Sequence, residues 1–291
     1  SSAEVEIESL NVIDSPFVAH LYDVIRQPNS ISLMIDPALG GSLRQRIAES
    51  KERNSPMSTD TIYSILAQVL LAINDVHQKN IAHRDISPSN ILFLRQKPSE
   101  DLRLLLVDFG VSASLNGKKS LSDSVGTPNY MSPEVARADH HDTKTDIYSL
   151  GVILYEMCEL KLPVKERLPK IDLKFHPEFH SLLSKMLSHD PKNRPTAKEL
   201  LNLPEISKYA SKYRNSPRVK LTSADFTPVV YEFDDIDIDF DALPPIDSTI
   251  PTGSGRLLLG ARNNSKQTEL ESKQRIKEQK EDLEQHESEY F

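Results

Sequence analysis

Apolar residues recur along this chain at two periods, and the two mark different elements. Ile62, Ile65, Leu66, Val69, Leu70, Ile73 and Val76 have the spacing of one buried helical face, with Ser58 or Thr59 as its cap. Residues 145–158 carry Ile147, Leu150, Ile153, Leu154, Met157 and Cys158, with Val152 and Tyr155 on the other side. A helix apolar nearly all round belongs at the centre of a core. Ala3 to Ile13, Ser42 to Glu49, Glu178 to Leu187 and Thr196 to Leu203 have the spacing of further, shorter helices. Phe17 to Ile25 and Ile31 to Ile35 read as strands joined by a Gln27-Pro28-Asn29-Ser30 turn, and Gly40-Gly41 then breaks the chain. Ile81 to Leu94 and Leu102 to Gly110 are short β-like pieces around polar loops.

Past about residue 210 the pattern dissolves. Tyr231 to Asp241 is an acidic run, and Pro244, Pro245, Pro251 and Gly253 follow, the composition of a disordered or extended linker. Gln267 to Glu287 is helix-prone, but Leu270, Ile276 and Leu283 make too thin a seam for a coiled coil.

Composition narrows the class. Of 291 residues, 38% are hydrophobic and 27% charged, ordinary for a soluble domain with a polar tail. The net charge of -8 argues against general nucleic-acid binding. Apolar runs such as Leu104 to Val107 fall far short of the roughly 20 residues that span a bilayer, so no membrane partner is expected. Cys158 is the single cysteine and cannot form an internal disulfide. That suits a reducing compartment, the cytoplasm, with the nucleus left open. The first residue is Ser rather than Met, so a fragment or processed product is expected, and no signal-peptide pattern opens it.

Three short motifs carry the chemistry. His83-Arg84-Asp85-Ile86-Ser87-Pro88-Ser89-Asn90 is followed by Asp108-Phe109-Gly110, and then by Gly126-Thr127-Pro128-Asn129-Tyr130-Met131-Ser132-Pro133-Glu134. Each is weak alone; in this order, ahead of the apolar helix, they are specific. Asn90 and Asp108 supply the hard oxygen donors that Mg²⁺ prefers alongside phosphates. The chain resembles the eukaryotic-type protein kinases of the Ser/Thr class.

The resemblance implies a two-lobed α+β fold, with a partial β-containing small lobe over 1–38 (regulatory helix, strands four and five, hinge) and a mostly helical large lobe over 39–209. It leaves 210–262 as linker and 263–291 as a polar tail. It implies transfer of the γ-phosphate of ATP to a protein Ser or Thr hydroxyl, with Asp85 as base, Asn90 and Asp108 as catalytic residues and magnesium ligands, and ATP and Mg²⁺ as cofactors. Leu92 would lie under the adenine, Ile35 would be the gatekeeper, and the backbone near Asp36 and Ala38 would touch the base. Glu6 falls where the family's regulatory helix carries its glutamate; a solvated helix face is the equal alternative. Asp146 would bond the catalytic-loop amides, Thr127 would bond Asp85, and Glu134 would pair with Arg194. Arg84 would meet a phosphate placed by an upstream kinase on the Ser120–Thr127 loop, near Lys118-Lys119, Ser122 and Ser124; an ordinary Ser-rich loop is the alternative. Val111 leans the acceptor towards Thr. Thr127 to Glu134 is similar to NIMA-related kinases and Asp172 to Phe179 to the translation-initiation-factor kinases, which leaves the subfamily open.

Two departures stand against full activity. No Gly-rich phosphate loop and no Val-Ala-Ile-Lys strand occur in these residues; Gly253, Gly255 and Gly260 have the wrong spacing. Transfer by this polypeptide alone is therefore expected to be weak or absent. Ser87 stands where Ser/Thr kinases carry Lys, and Ser89 where tyrosine kinases can carry Arg. The competing reading is a weak or pseudo-kinase scaffold acting through partners.

Overall fold

The computed structural model describes residues 2–27, 30–95, 102–115, 124–163 and 173–218. Helix α1 (Ser2–Val12) leads into the antiparallel hairpin of β1 (Leu21–Gln27) and β2 (Ser30–Ile35). Then come α2 (Leu43–Glu52) and α3 (Thr59–Gln78), and four short strands: β3 (Ile81–Ala82), β4 (Ile91–Phe93), β5 (Leu104–Leu106) and β6 (Ala113–Ser114). β3 pairs with β6 and β4 with β5, all antiparallel. α4 (Pro133–Ala136), α5 (Lys144–Glu159), α6 (His180–Met186), α7 (Ala197–Leu201) and α8 (Pro204–Tyr213) complete a mostly helical body below a small hairpin-and-helix layer.

The local chemistry explains the helix starts. Ser42 closes a capping box with Gln45 on α2, and Thr196 closes another with Glu199 on α7. Of the two candidate caps for α3, Ser58 is the one used: its Oγ accepts from the Thr61 N–H at 3.2 Å. α3 buries Ile62, Ile65, Leu66, Val69, Leu70, Ile73 and Val76, the stripe its spacing predicts. α5 is buried from Thr145 to Glu159 and forms the axis of the core.

Two expectations change. The first strand starts at Leu21, not Phe17. Phe17, Val18 and Ala19 are buried, but they pair with the large body instead: the Leu106 N–H donates to the Phe17 carbonyl at 2.8 Å and the Ala19 N–H to the Leu106 carbonyl at 3.1 Å. Apolar content therefore marked a seam between layers, not a hairpin strand. Second, α8 runs through residue 209, and Ile206, Tyr209, Ala210 and Tyr213 bury one stripe of it against α3. The change of composition near 210 falls within a packed helix.

Pro28 and Asn29 of the hairpin turn, Gln96 to Asp101, Lys118, Lys119, Ser120, Ser122, residues 164–172 and everything after 218 lie outside the described residues. Among those described, no helix is long and apolar enough to cross a membrane.

Candidate active site

The site is built outward from α5. Asp146, in its first turn and fully buried, accepts from the His83 N–H at 2.9 Å and the Arg84 N–H at 2.8 Å. His77 Nε2 lies 2.8 Å from the same carboxylate. Burial opposes ionisation of Asp146, yet the hydrogen bond and charge of His77, the charge of His83 and the Arg84 amide hold it below the usual carboxylate range. These bonds stabilise Arg84 at φ 69, a conformation that a non-glycine residue adopts only when its surroundings hold it there.

The turn at Arg84 delivers Asp85. One carboxylate oxygen accepts from the Thr127 N–H at 2.7 Å and the Thr127 hydroxyl at 2.6 Å. The other accepts from Asn90 Nδ2 at 2.9 Å, and the same amide nitrogen donates to the Asp85 carbonyl at 3.0 Å. Gly126 is what lets Thr127 approach. It sits at φ +105, and a Cβ there would lie 2.3 Å from the Arg84 carbonyl oxygen.

Asp108 follows β5, and the Val107 N–H donates to the Asn90 carbonyl at 3.0 Å, tying the two loops together. Asp108 has φ 65 and accepts from the Gly110 N–H at 3.2 Å. Burial raises its pKa and the charge of Asp85 adds to this, while His83 and the Gly110 amide offset part of the rise. A desolvated carboxylate facing a second carboxylate is a site that a cation would favour. Asn90 spends its nitrogen on Asp85, so among the described residues its Oδ1 accepts no hydrogen bond. Asn90 Oδ1 and Asp108 thus fit magnesium, which takes one or two protein oxygens with phosphates and water. No denser cluster of His, Cys, Asp and Glu exists among the described residues.

Glu6 is 9% exposed, so the solvated-face alternative does not hold. Its Oε1 accepts from the Phe109 N–H at 3.3 Å. Two serines on the same face of α1 also reach this segment, and the sequence reading missed both. Ser2 Oγ donates to the Gly110 carbonyl at 2.9 Å, and Ser9 and Ser112 hydroxyls lie 2.7 Å apart. The 2, 6, 9 spacing was the available signal.

Burial, then the charge of Asp108, push the Glu6 pKa up to about 7, with the Phe109 amide offsetting part. A raised pKa means that the native state resists ionisation. Its contribution is intact below the unfolded value of 4.5 and is lost as pH rises through about 7. Glu6→Gln keeps the acceptor and removes the charge. It is expected to flatten the fall in stability between pH 5 and 8 by about 2–3 kcal/mol in urea unfolding. Identical pH profiles for both proteins would refute this.

The positions expected to form the hinge stand at the end of β2. Ile35 and Ala38 are buried, and Leu92 lies buried in β4. The expectation at Asp36 concerned its backbone, and its side chain is fully engaged elsewhere. Its carboxylate accepts from the His20 N–H at 2.9 Å, the Tyr22 hydroxyl at 2.7 Å and Arg218 Nη1 at 2.8 Å. Its N–H donates to the His20 carbonyl at 3.1 Å. Only its carbonyl oxygen is left to meet a base. Burial and the Asp36 carboxylate push the Tyr22 hydroxyl up to about 12.

The substrate-side loop is anchored by a buried bidentate pair. Arg194 Nη1 and Nη2 donate to Glu134 at 2.5 and 2.8 Å, as the motifs imply. Arg84 Nε donates to the Val111 carbonyl at 2.6 Å, at the start of the segment whose serines were proposed as phosphate sites. Of those, only Ser124 is described, and it is exposed.

A carboxylate aimed by a threonine and a carboxamide thus stands beside a second, desolvated carboxylate, an arrangement that suits a cation. The chain belongs to the protein kinase domain family, whose sequence profile matches residues 1–205. It is similar to serine/threonine-protein kinase nekl-2 of Caenorhabditis elegans, 32% identical over 227 residues, covering 72% of this chain and 62% of that protein. It is also similar to Nek8 of Danio rerio, 32% identical over 213 residues, covering 69% of this chain and 30% of that one. Human Nek5 is 29% identical over 226 residues, covering 73% and 31%. The chain thus spans less than two thirds of the length of each of these relatives.

Proposed function

We propose that this chain carries the catalytic centre of a protein serine/threonine kinase that transfers the γ-phosphate of ATP to a protein Ser or Thr, in the manner of the Nek relatives. The observation that carries the reading is the Asp85 carboxylate, held by Thr127 from one side and Asn90 from the other. Phosphoryl transfer asks a protein mainly for positioning and charge compensation. Thr127 belongs to the loop that Glu134 and Arg194 anchor, so a substrate lying along that loop brings its hydroxyl to Asp85. Asp85 orients the hydroxyl and accepts its proton. The adenine lies between Leu92 and the hinge, against the Asp36 carbonyl and the backbone at Ala38. Asn90 and Asp108 would hold Mg²⁺, which when bound offsets the charge of the phosphates. Glu6 is placed to fix the Asp108-Phe109-Gly110 segment. An upstream kinase acting on the Ser120–Thr127 loop fits the position of Arg84. A reducing compartment, cytoplasm or nucleus, fits a buried Cys158 whose thiol burial pushes upward.

The test is transfer of label from Mg²⁺·[γ-³²P]ATP to a Ser- and Thr-containing protein by the chain extended at its N-terminus, followed by phosphoamino-acid analysis. Phosphoserine or phosphothreonine is expected, with the label lost in Asp85→Asn. Phosphotyrosine, or equal labelling by the variant, would refute the reading. One observation favours a second reading, a binding scaffold of kinase fold. Ser87 is 2% exposed and supplies no cation beside Asp85. That reading gives nucleotide binding without transfer, even in a chain extended at its N-terminus.

A further inference from the structure

The segment after α8 returns to the hinge. Arg218 lies beyond the residues matched by the family profile, which end at 205. Its guanidinium makes three hydrogen bonds there. Nη1 donates to the Val18 carbonyl at 3.0 Å and to Asp36 Oδ2 at 2.8 Å, and Nη2 donates to the Ser15 carbonyl at 2.8 Å. The carboxylate it meets is 5% exposed, and Arg218 itself is only 25% exposed. A second contact holds the approach: Arg103 Nη2 donates to the Pro217 carbonyl at 3.2 Å, with its guanidinium carbon 5.2 Å from the Phe17 ring centre.

These contacts join three parts of the chain: the loop after α1, the hinge, and the end of the helical body. We propose that Arg218 is a positioning residue for nucleotide binding, a strap that fixes the hinge backbone through Asp36. The inference rests on the proposed reading of the hinge as the adenine contact. Asp36 cannot meet the base through its side chain, which is spent on His20, Tyr22 and Arg218. Its carboxylate instead sets where its own carbonyl points. Without Arg218, a buried carboxylate loses its only cationic partner among the described residues and its loop can turn towards water. The planar fork matters as much as the charge, because it reaches Ser15, Val18 and Asp36 together.

The test combines hydrogen exchange with titration of Mg²⁺·ATP on the 291-residue chain and on Arg218→Ala, Arg218→Lys and Asp36→Asn. Arg218→Ala is expected to speed exchange of the Ala19 and Asp36 amides and to weaken ATP binding about tenfold. Arg218→Lys, which keeps charge but not the fork, should fall between, and Arg218→Ala in the Asp36→Asn background should add little. Unchanged exchange at these amides overturns the strap. Faster exchange with unchanged ATP affinity overturns the positioning role. Absence of ATP binding by the wild-type chain overturns the reading of the hinge itself, and the exchange result then still decides the strap.

Discussion

Arg194→Met is expected to destabilise the protein by about 3–5 kcal/mol in urea unfolding, the range for breaking a buried pair by removing one partner. Arg194 is 1% exposed and Glu134 4% exposed. Arg194 also donates through Nε to the Ser188 carbonyl at 2.8 Å and through Nη1 to the Lys144 carbonyl at 3.2 Å, and it lies 4.9 Å from the Tyr148 ring centre. Burial opposes ionisation of Glu134, and Arg194 reverses this, holding its carboxyl below the usual range. Met fills much of the volume but leaves that buried carboxylate without its guanidinium. Glu134→Gln added to Arg194→Met should recover part of the loss, because the stranded charge is then gone. A single-variant cost under about 1 kcal/mol would show that the pair does not anchor the loop.

Asp85→Asn is expected to lower phosphoryl transfer by about 10²–10⁴-fold while lowering the thermal transition by only a few degrees. Every group that meets this side chain offers a proton: the Thr127 N–H, the Thr127 hydroxyl and Asn90 Nδ2. A carboxylate accepts all of them. An amide cannot, so in either orientation its own NH₂ faces a donor. The variant therefore loses the proton acceptor and the alignment together. Rates are compared at saturating Mg²⁺·ATP, so that a change in nucleotide affinity does not enter. A loss under threefold would remove Asp85 from the chemistry.

The fold was legible where periodicity was strong. The α3 stripe and the all-round apolar α5 came directly from spacing, because both are buried by neighbours that their own patterns demand. Phe17 to Ala19 were misplaced because burial between layers and burial in a hairpin leave the same apolar mark. α8 was missed because its four buried residues are spread among polar ones, and the acidic run beyond it dominates the composition. The motifs singled out Asp85, Asn90, Asp108, Thr127, Asp146 and the Glu134–Arg194 pair, and the fold brings their predicted partners Asp85–Thr127, Asp146–catalytic loop and Glu134–Arg194 into contact. Ser2 and Ser9 were legible only as sharing a helix face with Glu6, and Arg218 not at all. Their partners lie about 100 or 200 residues away in sequence, and nothing local distinguishes a serine that bonds Gly110 from one that bonds water.

The most direct test is calorimetric titration of the chain with ATP, with and without Mg²⁺, beside Asp108→Asn. If Asn90 and Asp108 hold a cation against the phosphates, binding will require Mg²⁺ and will weaken at least tenfold in the variant. Affinity that ignores both the metal and the substitution, or no binding under any condition, would contradict the assignment.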